Sequence, residues 1–224
     1  MVLKQKNNKT GEGMKIIPPV VQGIQESDVR FEEVLPEEEV SERFFRKESV
    51  TGASVSNLSL SHCVFDHVVF CECRFRGAQL TDVRFENCDL SNVDFSDSML
   101  YRVEFIGCKL MGTNLGESVF NHVLFHHCNA RYVNLSMGKM KHVLFAHSDL
   151  QSGSMESCRL TPVGFDTCNL TEVEFSRTPL KGIDLRSSQM AGIRLGIDDL
   201  KGVIVSSLQA LELTRYLGLV VKDL

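Results

Sequence analysis

Residues 83–97 read VRFEN, CDLSN, VDFSD. Each five carries Phe or Leu at its third position, Val or Cys at its first, and polar residues elsewhere. The pattern runs outward in both directions without an insertion. From Val55 to Val205 every fifth residue is apolar, with Ala130 the one small member, which makes 31 consecutive pentapeptides. A period of five matches neither the 3.6 of a helix nor the 2.0 of a strand. Five residues of α-helix turn by ~500°, equivalent to ~140°, and smear the apolar positions around the cylinder. Within each five, the order in–out–in is that of a very short strand. The other two residues are left to turn a corner, and four such sides close a 20-residue coil.

Columns set one coil apart hold like residues. Positions 65, 85, 105, 125, 145 and 165 are all Phe, and positions 83, 103, 123, 143 and 163 are all Val. Cys88, Cys108, Cys128 and Cys168 share a column in which Ser148 fills the gap. Like on like is what stacked coils require. At the ~4.8 Å spacing of paired strands, 31 pentapeptides make about 7.75 coils and a rod ~37 Å long. Each Phe column is then expected to be a ladder of rings inside the rod.

Cys88-Asp89-Leu90-Ser91-Asn92, Val93-Asp94-Phe95-Ser96-Asp97 and Cys168-Asn169-Leu170-Thr171-Glu172 resemble the motif of the pentapeptide-repeat family. The resemblance covers about two-thirds of the chain. It implies an all-β solenoid, a right-handed quadrilateral β-helix whose coils touch only their neighbours.

The ends of such a rod need covers. Residues 1–13 are polar and precede a second methionine, so they read as a flexible leader or tag. Residues 14–50 read as an N-terminal cap and first irregular coil, with Phe44 and Phe45 as apolar cover. Pro36 through Lys47 fits a short helix, with Pro first, acids early and bases late. Leu35, Val40, Phe45 and Val50 instead keep the five-residue phase of a coil. Residues 51–205 are the repeat rod. In residues 206–224, Ser206 or Ser207 caps a helix running to about Leu217, and Gly218 stops it.

The terminal stretch Leu195 to Val221, ending Tyr216-Leu217-Gly218-Leu219-Val220-Val221, looks like the C-terminal end of Qnr-type quinolone-resistance proteins, and the uninterrupted coils are similar to the Gram-positive versions. That resemblance implies a tail-to-tail homodimer that binds DNA gyrase and topoisomerase IV and relieves their poisoning by fluoroquinolones, by mimicry of duplex DNA. Leu208, Leu211, Tyr216, Leu217, Leu219, Val220 and Val221 are the expected dimer contacts. The projecting loops of Gram-negative members have no counterpart in this sequence.

Charge divides unevenly among the four sides. The side of the Phe65 column is net −3; the next, with Glu72 and Asp89, is net −2. The third carries Asp94, Asp97, Glu117, Glu156 and Glu174 against Arg74, Arg76, Arg177 and Arg194, net −1, with its bases at the two ends. The fourth, which includes Asp82, is net +4. The seven acids Glu72, Asp89, Asp94, Asp97, Glu117, Glu156 and Glu174 are the candidate topoisomerase-binding surface. A ~37 Å length of duplex DNA carries about 22 charges, far more than any side of this rod, so mimicry has to rest on shape and a local acidic stripe.

The whole chain is net −5, from 24 basic and 29 acidic side chains, so direct nucleic-acid binding is not expected. No apolar run approaches the ~18 residues of a membrane span. Lysines near the N-terminus lack an apolar segment behind them, so the expected compartment is the cytoplasm, with the eight cysteines as thiols. His122 stacks on His142 and His127 on His147, one coil apart, but the two columns lie on different sides and no acid flanks both. Metal, cofactor and enzymatic readings are all disfavoured, since no phosphate loop, zinc motif or nucleophile elbow occurs. Leu124 and Leu144 stack at outward positions near Met99 and Val119. Two readings of function result: a topoisomerase-binding DNA mimic, and a passive scaffold for an unrelated protein partner.

Overall fold

A computed structural model describes residues 14–222, which centre on a parallel β-solenoid; the leader or tag expected at 1–13 lies outside the described residues. The strands are β1 (Glu39–Ser41), β2 (Phe44–Arg46), β3 (Ser49–Thr51), β4 (Ser59–Asp66), β5 (Val69–Cys71), β6 (Gln79–Glu86), β7 (Met99–Ile106), β8 (Val119–His126), β9 (Lys139–Ala146) and β10 (Arg159–Asp166). All pairing is parallel and in the register of one coil: Phe65 faces Phe85, Phe85 faces Phe105, and so on to Phe145 and Phe165. The other sides carry the short β3–β5 pair and single bridges at the same spacing, from Ser54–Arg74 to Asp184–Ile204.

The corners explain the repeat's polar positions. The residue two after each inward Phe or Leu is left-handed along most of the rod, as at Asn57, Asn87, Asn92, Asp97 and Gly107. Gly, Asn, Asp and His tolerate that conformation best. Six of the seven histidines, including both stacked pairs, are corner residues with positive φ. Their clustering is therefore a property of the turn. At Gly107 the corner also has to be bare, since a Cβ there would lie 2.7 Å from Asn87 Oδ1 in the coil below.

The interior is closely packed and aromatic. Phe45, Phe65, Phe85, Phe105, Phe125, Phe145 and Phe165 form one continuous stack, with centroids 4.6–5.3 Å apart. The column of Cys, Ser and Thr beside it has a second role. Cys88, Cys108, Cys128 and Cys168 donate S–H to the carbonyls of Phe65, Phe85, Phe105 and Phe145 at 3.3–3.4 Å, and Ser148 does the same to Phe125. Burial pushes the Cys128 thiol up to about 11 and that of Cys168 up to about 12. All eight cysteines are free thiols, and Cys71 alone is exposed.

At the N-terminal end the coil reading holds, with Val40, Phe45 and Val50 buried in register on Leu60, Phe65 and Phe70, and the helix reading does not. Pro36–Lys47 is not a helix: Glu39–Ser41 and Phe44–Arg46 are strands registered on β4, so a regular coil begins here. The helix, α1 (Phe31–Val34), precedes Pro36 and runs into a 3-10 turn at Leu35–Glu37. Its Phe31 is the plug, edge-on to Phe45 and Phe65 at 5.1 and 5.0 Å. Phe45 lies inside the stack and Phe44 is half-buried. The helix forms from Phe31 because Glu48 accepts from the Phe31 N–H at 2.9 Å, and Pro36 with left-handed Glu38 ends the turn.

At the other end, α2 (Ser207–Leu213) is capped by Ser206 and continues as a 3-10 turn to Leu217, where Gly218 takes positive φ. Gln209 fastens it. Its Nε2 donates to the carbonyls of Leu185 and Ser188 at 2.8 and 2.9 Å while its Oε1 accepts from the Ser206 N–H.

Residues 14–20 form a strap along the outside of the rod, across the strands. Met14 closes on Gly164, where a Cβ would lie 3.0 Å from its Cε and 3.1 Å from Leu144 Cδ1. The Ile17 N–H donates to His122 Nδ1 at 3.3 Å, and the Val20 N–H to Asp82 Oδ1 at 2.8 Å. His122 and Asp82 are two coils apart, ~9.6 Å. Three residues of extended polyproline-type chain span ~9.3 Å, which Pro18-Pro19 favour. Beyond the strap, Glu26 bridges to Phe44.

Candidate functional site

With the interior filled by phenylalanines, chemistry and recognition are confined to the outside. The structure brings three of the seven candidate acids together: Glu72, Asp89 and Asp94 line a shallow, open cleft with Gly52, Cys71 and Arg74. Asp97 and Glu117 are corner residues on successive coils next to it. Glu174 shares the column of Asp94 but lies four coils away, ~19 Å, with Asn114, Asn134 and Ser154 between them.

The acidic stripe is thinner than the sequence count implies. Asp97 pairs with Arg76 at 2.8 Å, Asp89 with Lys109 at 3.3 Å, and Glu156 with Arg177. Each of these bases sits on the adjoining coil. Burial opposes ionisation of Asp89, but the Ser91 hydroxyl and N–H and the Lys109 ammonium hold its carboxyl below the usual carboxylate range. Asp94 and Glu174 are spent on turns, accepting from the N–H of Ser96 and Ser176 at 3.0 Å. Asp94 also heads an amide ladder, with Asn114 Nδ2 donating to it and Asn134 Nδ2 donating to Asn114, both at 2.9 Å. Glu72 and Glu117 alone of the seven are exposed and have no ion-pair or side-chain hydrogen-bond partner among the described residues.

Asp82 stands apart from the other charges of the fourth side. It is not a solvated surface charge: its side chain is fully buried, with Arg102 donating to both carboxylate oxygens, the strap's Val20 N–H donating to Oδ1 as well, and His62 Nε2 at 3.6 Å. Burial opposes its ionisation, yet the Arg102 and Val20 hydrogen bonds outweigh that and hold its carboxyl below the usual range. Opposite charges at equivalent positions of successive coils, as in Asp82–Arg102, Arg84–Glu104 and Arg46–Asp66, are the signal that finds these pairs.

The stacked histidines do meet, His122 on His142 at 4.6 Å and His127 on His147 at 5.0 Å, with His126 beside the second pair. Among the described residues, no group of three or more His, Cys, Asp or Glu side chains is placed to hold a metal ion. No helix among them is long and apolar enough to cross a membrane. At the C-terminal end, Tyr216 is turned into the rod: its hydroxyl bonds the Ile193 carbonyl, and Arg215 lies over its ring. Leu208, Leu211, Leu217, Leu219, Val220 and Val221 are all at least half exposed.

Residues 78–153 match the family described as pentapeptide repeat region, and residues 51–87 match pentapeptide repeats (8 copies). No curated protein compared with the chain matches it. Among solved structures, full-length QnrB1, a plasmid-mediated fluoroquinolone resistance protein, is 17% identical, with 79% of this chain and 100% of that one covered and a TM-score of 0.47. HetL, a pentapeptide repeat protein involved in heterocyst differentiation regulation from Nostoc sp. strain PCC 7120, is 18% identical over 80% of this chain and 98% of that one, with a TM-score of 0.45. A pentapeptide repeat protein of the Arabidopsis thaliana thylakoid lumen is 22% identical over 44% of this chain and 66% of that one, with a TM-score of 0.32. These likenesses carry no argument about function.

Proposed function

We propose that this chain, whose residues 51–153 carry the repeats of the pentapeptide-repeat family, is a protein-binding rod that docks on a type II topoisomerase, DNA gyrase and/or topoisomerase IV, and protects it from fluoroquinolones. The observation behind it is the filled interior: a rod with a continuous phenylalanine stack offers a partner its outer faces and its ends only. The resemblance of residues 195–221 to Qnr-type proteins supplies the choice of partner. On this reading the docking surface is the cleft of Glu72, Asp89 and Asp94 with neighbouring Glu117, and two copies meet through the exposed leucines and valines of the C-terminus.

A second reading, a scaffold for an unrelated protein partner, is favoured by the pairing of Asp97, Glu156 and Asp89 with bases, which leaves few free acids for mimicry. The deciding experiment is gyrase supercoiling titrated with this protein, with and without ciprofloxacin. Rescue in the drug's presence, lost when Glu72, Asp94 and Glu117 are reversed in charge in a folded protein, supports the first reading. No rescue and no inhibition at any dose leaves the scaffold. Rescue by the charge-reversed protein as strong as by the parent removes the acidic surface from the mechanism. Light scattering tests the C-terminal contact: Leu208→Glu with Val220→Glu is expected to convert a dimer to monomers.

A further inference from the structure

The strap meets the rod at two points of different chemistry. Val20 donates to Asp82, a carboxylate that Arg102 keeps ionised. Ile17 donates to Nδ1 of His122, and an imidazole nitrogen accepts a hydrogen bond only while it carries no proton. We propose that residues 14–20 are a proton-sensitive strap, held down at its middle by neutral His122 and released there when that imidazole is protonated, while Val20 stays anchored on Asp82.

The surroundings of His122 support this. The charged and titratable groups facing it from β9 are His142, stacked at 4.6 Å, and Lys141; from β7 it is Arg102; from the strap, Lys15 is the sole charged residue. None is an acid, and no ion pair among the described residues involves His122. Burial, then the neighbouring His142, Lys141 and Arg102, lower its affinity for a proton below the ordinary imidazole's. With the strap away, burial falls and the Nδ1 acceptor is idle, so the proton is bound more readily. The docked strap is thus fully favoured above the imidazole's ordinary value and is lost as pH falls below it, through the lowered value of the docked state. Pro18-Pro19 separates the two anchors, so the segment N-terminal to it can leave alone. Its departure uncovers Leu144 and Gly164 beneath Met14.

The test follows the Ile17 and Val20 amides of the full chain by hydrogen exchange in NMR from pH 7.5 to 5, corrected for intrinsic rates, together with titration of the His122 ring resonances. Ile17 protection is expected to fall about fivefold, the ratio equivalent to the ~1 kcal/mol of a typical hydrogen bond. The fall is expected to share its midpoint with the His122 ring, and Val20 protection to hold. In His122→Gln the pH dependence of Ile17 is expected to vanish, whatever protection remains. Unchanged Ile17 protection across the range, a midpoint that differs from that of His122, or a pH dependence that survives in His122→Gln would each overturn the proposal.

Discussion

Replacing Phe125 by alanine tests the architecture at its centre. Phe125 is 1% exposed and lies between Phe105 at 4.9 Å and Phe145 at 4.6 Å, its ring within 7° of both. Loss of the buried ring removes about 1.5–3 kcal/mol of apolar transfer. Two stacked contacts go with it, each about 0.5–1.5 kcal/mol. Coils on either side are tied by backbone ladders and cannot collapse into the gap, so a total of about 3–5 kcal/mol is expected, in line with other Phe-to-Ala changes. The comparison is Phe175→Ala, whose ring meets Phe165 edge-on at 6.0 Å and stacks on no neighbour, and which is expected to cost less. Urea unfolding followed by circular dichroism gives both values. Hydrogen exchange shows whether the coils flanking residue 125 open before the rest, as expected where each coil is supported mainly by its neighbours. A loss under about 1 kcal/mol at Phe125, well below the usual cost of such a truncation, or a larger loss at Phe175, would refute the inward stack as a principal source of stability.

Further outcomes follow from other contacts. Ellman's reagent is expected to titrate one thiol of eight rapidly in the native protein, Cys71, and all eight in denaturant, because burial keeps Cys128, Cys158 and Cys168 protonated at pH 8. Asp82→Asn is expected to cost about 1–3 kcal/mol in urea unfolding at pH 7, since Arg102 loses its charge partner. Asp82 has a lowered folded pKa, so its contribution is present above the ordinary carboxylate range and fades as pH falls through the folded value; the difference between wild type and variant should shrink accordingly in acid. Phe31→Ala is expected to remove the N-terminal plug and to raise exchange in β1 and β2 well before the middle coils.

The five-residue period carries the solenoid, its register and its inward columns because stacking like on like leaves a direct trace in the chain. The C-terminal helix with its Ser206 cap and Gly218 stop is legible for the same local reason. The N-terminal end is legible in part: Val40, Phe45 and Val50 keep the phase and form a coil, while the plug leaves no such trace. Phe31 plugs the rod through contacts with Phe45, Phe65 and Phe70, all beyond the reach of a local pattern, while Phe44 and Phe45 look like cover although they continue the repeat. The left-handed corners recur two places after the inward residues, as Asn, Gly or His at many of them and as Glu, Arg, Ser or Tyr at others, so composition marks them only in part, and clustered histidines suggest ligands more readily than turns. For the acids, counting charge along a side misses pairing between adjacent coils: a scan for opposite charges 20 residues along recovers Asp89 with Lys109, while Asp97 with Arg76 and Glu156 with Arg177 are found at 21. The strap is hidden because its contacts run 62 and 105 residues along the chain, with Gly164 the one local trace.

A solenoid of identical coils is free to gain or lose whole turns by duplication or deletion, since each unit fits any other. The strap withdraws that freedom from one stretch of this rod. Its anchors at residues 82 and 122 and its footing at Gly164 are matched to a fixed number of intervening turns, three strap residues to every two. Deleting one turn between Asp82 and His122 leaves the strap ~4.8 Å too long. The turns beyond Gly164 carry no such gauge. Lineages of this protein are therefore expected to vary in length at the C-terminal end of the rod, and to keep the number of turns beneath the strap constant.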